Sequence, residues 1–423
     1  MSRPKRLIWL VLAALLLPAL AVASGVSETF TQTSLLLILM ITLADVCGFI
    51  FERLGMAEIL GEIYAGIMLG NLAIVGIDFD LSTLLRSSEF MVYSSELALV
   101  LLLFLVGLES DMRGLLKVGR NAMGVAIVGV ALPVALGLAA GAVLGYGTGM
   151  QAWFVGAMLA ATSVGITAKL LGDNGLVNTA SARVILGAAV IDDVLGILLL
   201  AVLASVVVTG EVSAQGLFWI VTKALLFFAG ALLIGQKLMP SVIHIISLNK
   251  HSSVWTGFAL CLALGFAQLA HFAGLAPLIG AFVAGLLLDD VDFHVGDALQ
   301  KHRLEELVKP ISDIMITIFF VGIGAQVELQ SLLDPQILLL IVTLTLVAIL
   351  SKGAAGYMVR GEGFDRLGIG FGMIPRGEVG LVFAAFAFGH QVFSAQMYSA
   401  LVLVVLLTTL IGPLLLKPRL ARF

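Results

Sequence analysis

The chain has 423 residues, of which 60% are hydrophobic and 12% charged, with a net charge of −4. Soluble domains carry about 25% charged residues, so this composition excludes a water-clothed globular protein. Apolar runs of membrane-spanning length, ~20 residues, recur instead from Ser34 to Leu416. Cys47 and Cys261 both lie inside apolar segments, which argues against a disulfide framework or a cysteine metal site.

The N-terminus reads as a targeting segment. Arg3, Lys5 and Arg6 precede an apolar core from Leu7 to Leu20, and Ala21-Val22-Ala23 is a small-residue cleavage pattern, so residues 1–23 are expected to be a signal peptide cleaved near Ala23. The alternative is an uncleaved first helix. In either case the next segment starts outside the cytoplasm.

Thirteen spans follow, at 33–52, 57–71, 94–109, 118–144, 151–172, 180–209, 213–239, 252–271, 275–289, 310–327, 335–359, 364–389 and 395–416. The second and ninth are short for a full crossing. Lys and Arg favour the cytoplasmic side. If the first span starts outside, sixteen of them fall at cytoplasmic loops, span ends and tail, from Arg53 to Arg422, and only Arg86 falls outside. That asymmetry sets the orientation: N-terminus out, and a short basic tail, 417–423, in the cytoplasm.

The spans carry an internal repeat. Gly61-Glu62-Ile63-Tyr64-Ala65-Gly66 matches Gly280-Ala281-Phe282-Val283-Ala284-Gly285 at an offset of 219 residues. Phe104-Leu105-Val106-Gly107 matches Phe319-Phe320-Val321-Gly322, and Val164-Gly165-Ile166 matches Val379-Gly380-Leu381, both at 215. Each pair lies seven spans apart, an odd number, so the copies face opposite ways. This predicts inverted repeats over about 33–209 and 252–416, joined by a linking helix at 213–239. Secondary transporters place their sites where such repeats meet.

Two repeat-related spans carry interruption signals. The fifth contains Ala161-Thr162-Ser163-Val164-Gly165-Ile166-Thr167, whose hydroxyls can re-satisfy an unwound backbone. The twelfth contains Met373-Ile374-Pro375-Arg376-Gly377-Glu378, in which proline removes a backbone donor. Arg376 and Glu378 are placed to neutralise the partial charges of half-helix ends, about half a unit each. Pro375, Arg376, Glu378 and Gly165 are the expected supports of this region. A simple kink and close helix packing are the plainer explanations.

Ionisable groups inside a span suggest function. Asp192-Asp193 lies near the middle of the sixth span among apolar residues, and Lys352 lies toward the cytoplasmic side of the eleventh. Adjacent helical residues point about 100° apart, so one aspartate can face a cavity while the other faces a neighbouring helix. Two carboxylates so close resist double ionisation unless a cation is near. Lys352 or a bound monovalent ion would serve, and a proton and a metal cation would then compete for one negative charge. Thr162, Ser163 and freed carbonyls would complete the ion's shell. A structural ion pair between Asp192 and Lys352 is the competing reading for Asp192. Asp45, Glu58, Glu62 and Glu96 lie nearer span ends, Lys223 is placed to snorkel outward, and His244, His251 and His271 sit at loops or span ends. Asp289, Asp290, Asp292 and Asp297 form a cytoplasmic acidic cluster.

At these residues the sequence resembles the monovalent cation:proton antiporter-2 family, the bacterial sodium/proton and potassium/proton exchangers. The resemblance covers nearly all of 34–416. Its carriers are Leu60-Gly61-Glu62-Ile63 with Ala65-Gly66, Leu103 to Glu109, Thr162-Ser163, Asp192-Asp193, Ile279 to Gly285, Lys352 and Arg376-Gly377-Glu378. It implies an all-α polytopic fold of about thirteen transmembrane helices with two crossed discontinuous helices, a dimerisation panel and a mobile core. It also implies an elevator-type movement with Asp193 as main ion ligand, and an Asp192–Lys352 pair that parts when the cation binds. A double aspartate with a lysine is similar to the electrogenic members. Sodium, potassium and lithium stay open as substrates. The expected partners are monovalent cations, protons, the lipid of a bacterial inner membrane and a second copy of the chain. No cofactor, nucleic acid or enzymatic site is expected. The competing functional classes are a sodium-coupled solute symporter of similar fold, a cation channel and an intramembrane enzyme.

Overall fold

The computed structural model describes residues 28–72, 89–109, 119–176, 178–210, 214–248, 251–289 and 301–423. The expected signal peptide at 1–23, together with Arg86, Asp290, Asp292 and Asp297, lies outside the described residues.

The described residues form α-helices joined by turns and short 3₁₀ segments. In chain order these are α1 (Glu28–Arg53), α2 (Glu58–Gly70), α3 (Glu89–Glu109), α4 (Arg120–Val143), α5 (Met150–Ala160), α6 (Val164–Asp173), α7 (Ala180–Thr209), α8 (Ala214–Ser247), α9 (Ser252–Phe272), α10 (Pro277–Asp289), α11 (Lys301–Ala325), α12 (Pro335–Ala355), α13 (Arg366–Gly372), α14 (Glu378–Gly389) and α15 (Ala395–Leu416). In hydrocarbon a helix is the one open element that pairs its own backbone groups. Among the described residues nine spans are long and apolar enough to cross a membrane, and the bent α8 makes a tenth if it counts as one span. The protein is therefore an all-helical, multi-pass membrane protein.

Local signals mark the ends. Thr179 caps α7 by accepting the Ala182 N–H at 3.3 Å, and Gly210 closes it with φ of 69°, the left-handed conformation that glycine adopts at least cost. The 30 residues of α7 extend about 45 Å at 1.5 Å per residue, longer than the ~30 Å hydrocarbon core. By contrast α2 and α10 have 13 residues each.

Two helices outrun their apolar stretches. α11 begins at Lys301, nine residues before Pro310, because Leu304 and Val308 form a buried face at helical spacing in an otherwise polar run. α8 likewise passes Pro240 to reach Ser247, with Met239 and Ile243 buried four residues apart. Summed hydropathy stops at the polar residues, whereas the helix follows its buried stripe.

The chain divides into two compact units, one of residues 1–99 and 311–334 and the other of 100–310 and 335–423. In the first, Leu36, Met40, Ala44, Leu69, Met91 and Ile318 pack into one core. In the second, α4 packs along α5, α7 and α12, and α15 lies against α12 and α14.

Glycines bring helix backbones together in both units, and one crossing in each is made alike. In the first, a Cβ on Gly66 of α2 would strike the Val321 carbonyl of α11, and one on Gly324 would strike that of Ile63. In the second, Gly285 of α10 meets the Phe104 carbonyl of α3, and Gly107 meets that of Phe282. Small residues let apolar helices approach this closely. The match of Gly66 with Gly285 at 219 is kept, since both meet the facing carbonyl, but the register of the partner helices differs from the sequence match. Gly107 takes the place that Gly324 takes, an offset of 217, while Gly322 faces the Met91 methyl group. The glycine that meets the facing backbone decides the register, not the apolar residues around it.

Candidate functional site

Two helical paths are interrupted in the second unit. α5 stops at Ala160 and α6 resumes at Val164; α13 stops at Gly372 and α14 resumes at Glu378. Every interruption frees up to four N–H and four C=O groups, and apolar surroundings require that these find partners. Here the two breaks serve each other. The Ser163 N–H donates to the Pro375 carbonyl at 2.8 Å. The Thr167 hydroxyl donates to the Gly372 carbonyl at 2.7 Å. A Cβ on Gly377 would lie 2.8 Å from the Ser163 hydroxyl, so the glycine makes room for that side chain.

Arg376 ties the breaks together. It is fully buried, and its guanidinium donates to the Ile374 carbonyl at 2.9 Å and to the Leu159 carbonyl at the end of α5. The C-terminal end of a helix carries a partial negative charge of about half a unit, and the arginine sits against it. The Thr409 hydroxyl of α15 donates to the Arg376 carbonyl. Glu378 occupies the first turn of α14, where a carboxylate complements the positive end of the helix dipole.

Asp192, near the middle of α7, is the anion beside this junction. Its Oδ2 accepts from Lys352 Nζ of α12 at 2.6 Å and from the Thr162 hydroxyl at 2.9 Å. The Met373 carbonyl is a more distant acceptor for Thr162, at 3.3 Å. Both charged side chains are 0% exposed. Burying two charges is costly, and close geometry with added hydrogen bonds offsets that cost; removing one partner leaves the other stranded at about 3–5 kcal/mol. Asp193 is half-buried one residue further on, about 100° around the helix. Its charge acts on Lys352, as do those of Asp192 and Arg376.

The structure therefore brings Asp192, Lys352 and Thr162 into direct contact and sets Ser163, Pro375 and Arg376 at the adjoining breaks. Gly165 is not among them. It lies in the first turn of α6, where a Cβ would meet only open space, and the break is made by Ala161–Ser163 instead. Glu62 accepts from the Thr317 hydroxyl at 2.7 Å in the first unit, and Lys223 is exposed. Two contributors went unseen in the sequence, Thr409 and Gly129, because nothing marks one threonine or glycine among many in apolar helices.

The family model for the transmembrane part of sodium/hydrogen exchangers matches residues 9–422. The chain belongs to the sodium/hydrogen exchanger family. This exchanger is 33% identical over 399 residues to the high-affinity Na(+)/H(+) antiporter NhaS3 of Synechocystis sp., covering 86% of this chain and 85% of the relative. It is 33% identical over 395 residues to the Na(+)/H(+)-K(+) antiporter GerN of Bacillus cereus, covering 92% and 96%. Among solved structures, the exchanger's fold is similar to that of the sodium proton antiporter MjNhaP1 from Methanocaldococcus jannaschii, with a TM-score of 0.68 at 19% identity, covering 93% of this chain and 97% of the other.

Proposed function

We propose that the protein is a secondary antiporter exchanging a monovalent cation, sodium first, for protons across a bacterial inner membrane. The observation that carries this is the fully buried Asp192–Lys352 pair, bonded to Thr162 beside two interrupted helices, in a chain of the exchanger family. The names of NhaS3 and GerN support sodium, and that of GerN adds potassium as a second candidate.

In this reading Asp193 is the main ligand of the transported cation, with Asp192 as its neighbour and Thr162, Ser163 and carbonyls at the breaks as further oxygen donors. Oxygen ligands suit hard cations. A proton and the cation take turns on the same carboxylate, which couples their movements. Lys352 holds Asp192 while the cation is away and parts from it when the cation arrives, which makes the exchange electrogenic. The matched glycine crossings support inverted repeats, and the mutual bonding of the breaks supports a pair of crossed discontinuous helices within about thirteen spans. Pro375, Arg376 and Glu378 keep the junction intact. An elevator-type movement, a homodimer, a cleaved signal at 1–23, an external mature N-terminus and a cytoplasmic tail at 417–423 complete the proposal.

The test is cation-driven proton flux in proteoliposomes. Asp193→Asn is expected to abolish exchange with sodium, potassium and lithium, while Asp192→Asn keeps exchange and changes the charge moved per cycle. Undiminished exchange by Asp193→Asn would overturn the assignment.

A further inference from the structure

Two helices press on the site through glycines. Gly129 of α4 lies against the ion pair, where a Cβ would stand 3.3 Å from Lys352 Nζ. Gly412 of α15 lies against the break between α13 and α14, where a Cβ would stand 2.7 Å from the Cγ and Cδ atoms of Pro375. Gly412 belongs to a buried stripe on α15. Tyr398, Val405, Thr409, Gly412 and Leu416 follow one another at steps of seven, four, three and four residues, the spacing of a single helical face.

That stripe runs the length of the interrupted path. Tyr398 stacks on Phe388 near the end of α14, with ring centroids 4.5 Å apart. Val405 lies beside Gly380 in the first turn of α14. Thr409 and Gly412 meet the break itself, and Leu416 joins the core that holds Ile369 of α13. One continuous helix thus lies along two half-helices and the residues between them.

Thr409 brings a hydroxyl to the break. Its neighbour Thr408 returns its own hydroxyl to the Val404 carbonyl of the same helix at 2.8 Å, the local bond open to a helical threonine. The Thr409 hydroxyl instead donates to the Arg376 carbonyl. Gly377 caps α14, and its carbonyl accepts the Leu381 N–H at 3.3 Å. The Arg376 carbonyl therefore precedes the helical ladder and needs a donor from another element. The side chain of the same arginine holds the Leu159 carbonyl at the other break, and its charge acts on Asp192 and Lys352. We propose that α15 splints the α13–α14 path and that Thr409 is its positioning residue, fixing the Arg376 backbone so that the guanidinium stays in register with both breaks and with the ion pair. The inference rests on the reading of Asp192 and Lys352 as part of the ion site.

The test compares Thr409→Val with Thr409→Ser in the full chain, reading the KM for sodium and the maximal rate of sodium/proton exchange in proteoliposomes. Valine keeps the branched shape without the hydroxyl, and serine keeps the hydroxyl without the methyl group. A packing account ranks valine at or above serine, because serine deletes a buried methyl. It also lowers the maximal rate through loss of folded protein and leaves KM unchanged. The positioning account ranks serine above valine and acts on KM. Thr409→Val is expected to raise KM about tenfold, the upper range for one hydrogen bond, and Thr409→Ser to stay within about threefold of native. A native KM in Thr409→Val overturns the proposal, and so does a KM raised equally by both. If Thr409→Val is not recovered folded, Thr409→Ala, which also lacks the hydroxyl, is read the same way. Failure of both to assemble makes the bond a folding contact and likewise overturns the proposal. Asp193→Asn in the same vesicles separates the two claims. Inactive Asp193→Asn with a native KM in Thr409→Val removes the role of Thr409 alone, whereas active Asp193→Asn removes the reading beneath it.

Discussion

Lys352 and Asp192 illustrate how much depends on a pair rather than on either member. With both side chains 0% exposed and 2.6 Å apart, each is tolerable only because the other is present. Lys352→Ala strands a carboxylate, and the expected loss is about 3–5 kcal/mol of stability. Adding Asp192→Asn removes the stranded charge and is expected to recover most of that loss, since replacing a buried pair as a whole is often close to neutral. Thermal unfolding of the native, single and double variants in detergent checks this, and exchange should stay impaired in both. Destabilisation of equal size in the single and double variants would show that the charge pair is not what the lysine stabilises. The acidic and basic members of this site were legible from sequence because charge inside an apolar span is rare. Their partners were less so. Thr162 stood out as part of a hydroxyl run, but Gly129 and Thr409 matter through what approaches them from distant helices, and no local pattern records that.

At the scale of elements, the interruptions were readable and their extents were not. Pro375 and the Thr162-Ser163 run announced broken helices, but the first break closes at Val164, which leaves Gly165 inside α6. A second device was not visible at all. Asp365, just before α13, is bound by two guanidinium nitrogens of Arg419 in the C-terminal 3₁₀ turn, one of them at 2.8 Å. Its backbone N–H donates to the Ser181 hydroxyl at the start of α7, at 3.3 Å. Leu416, Leu420 and Phe423 pack into the same core as Ile185 and Ile369. The tail thus fastens the start of one broken helix to the helix that carries the aspartates. Burial acts to raise the Asp365 pKa, but the Arg419 hydrogen bond, the Gly368 N–H and the charges of Arg419 and Arg422 outweigh it and hold the carboxyl below the usual carboxylate range. A depressed folded value means that the stabilisation is complete above the unfolded pKa of about 3.9 and is lost as pH falls through the folded value. Arg419→Ala is therefore expected to lower stability by about 1.5–3 kcal/mol at neutral pH, the range for hydrogen bonds to a charged group. Its deficit should shrink once the carboxyl protonates in acid. Unfolding curves across pH test this, and a deficit independent of pH would assign the effect to packing of the tail alone.

For the whole molecule, 12% charged residues together with recurring apolar runs of spanning length pointed to a multi-pass helical protein. The order of the helices followed from apolar runs, except where α8 and α11 extend along buried stripes through polar sequence. The sequence match paired Gly66 with Gly285 as the crossings do, but it paired Gly107 with Gly322 where the backbones meet at Gly324, because a string of apolar residues matches itself at several offsets. What the fold accomplishes with these parts is to bring Asp192, Lys352 and the two helix breaks together in apolar surroundings, and the proposed function has a proton and a cation compete for negative charge there.

That competition can be observed without a transport cycle. Sodium added to the purified protein at a pH where the site is protonated should displace a proton, which calorimetry in buffers of different ionisation enthalpy registers as a buffer-dependent heat. The native protein is expected to release protons on binding sodium, and Asp193→Asn to release none. Proton release of native size from Asp193→Asn would contradict the claim that one carboxylate serves both ions.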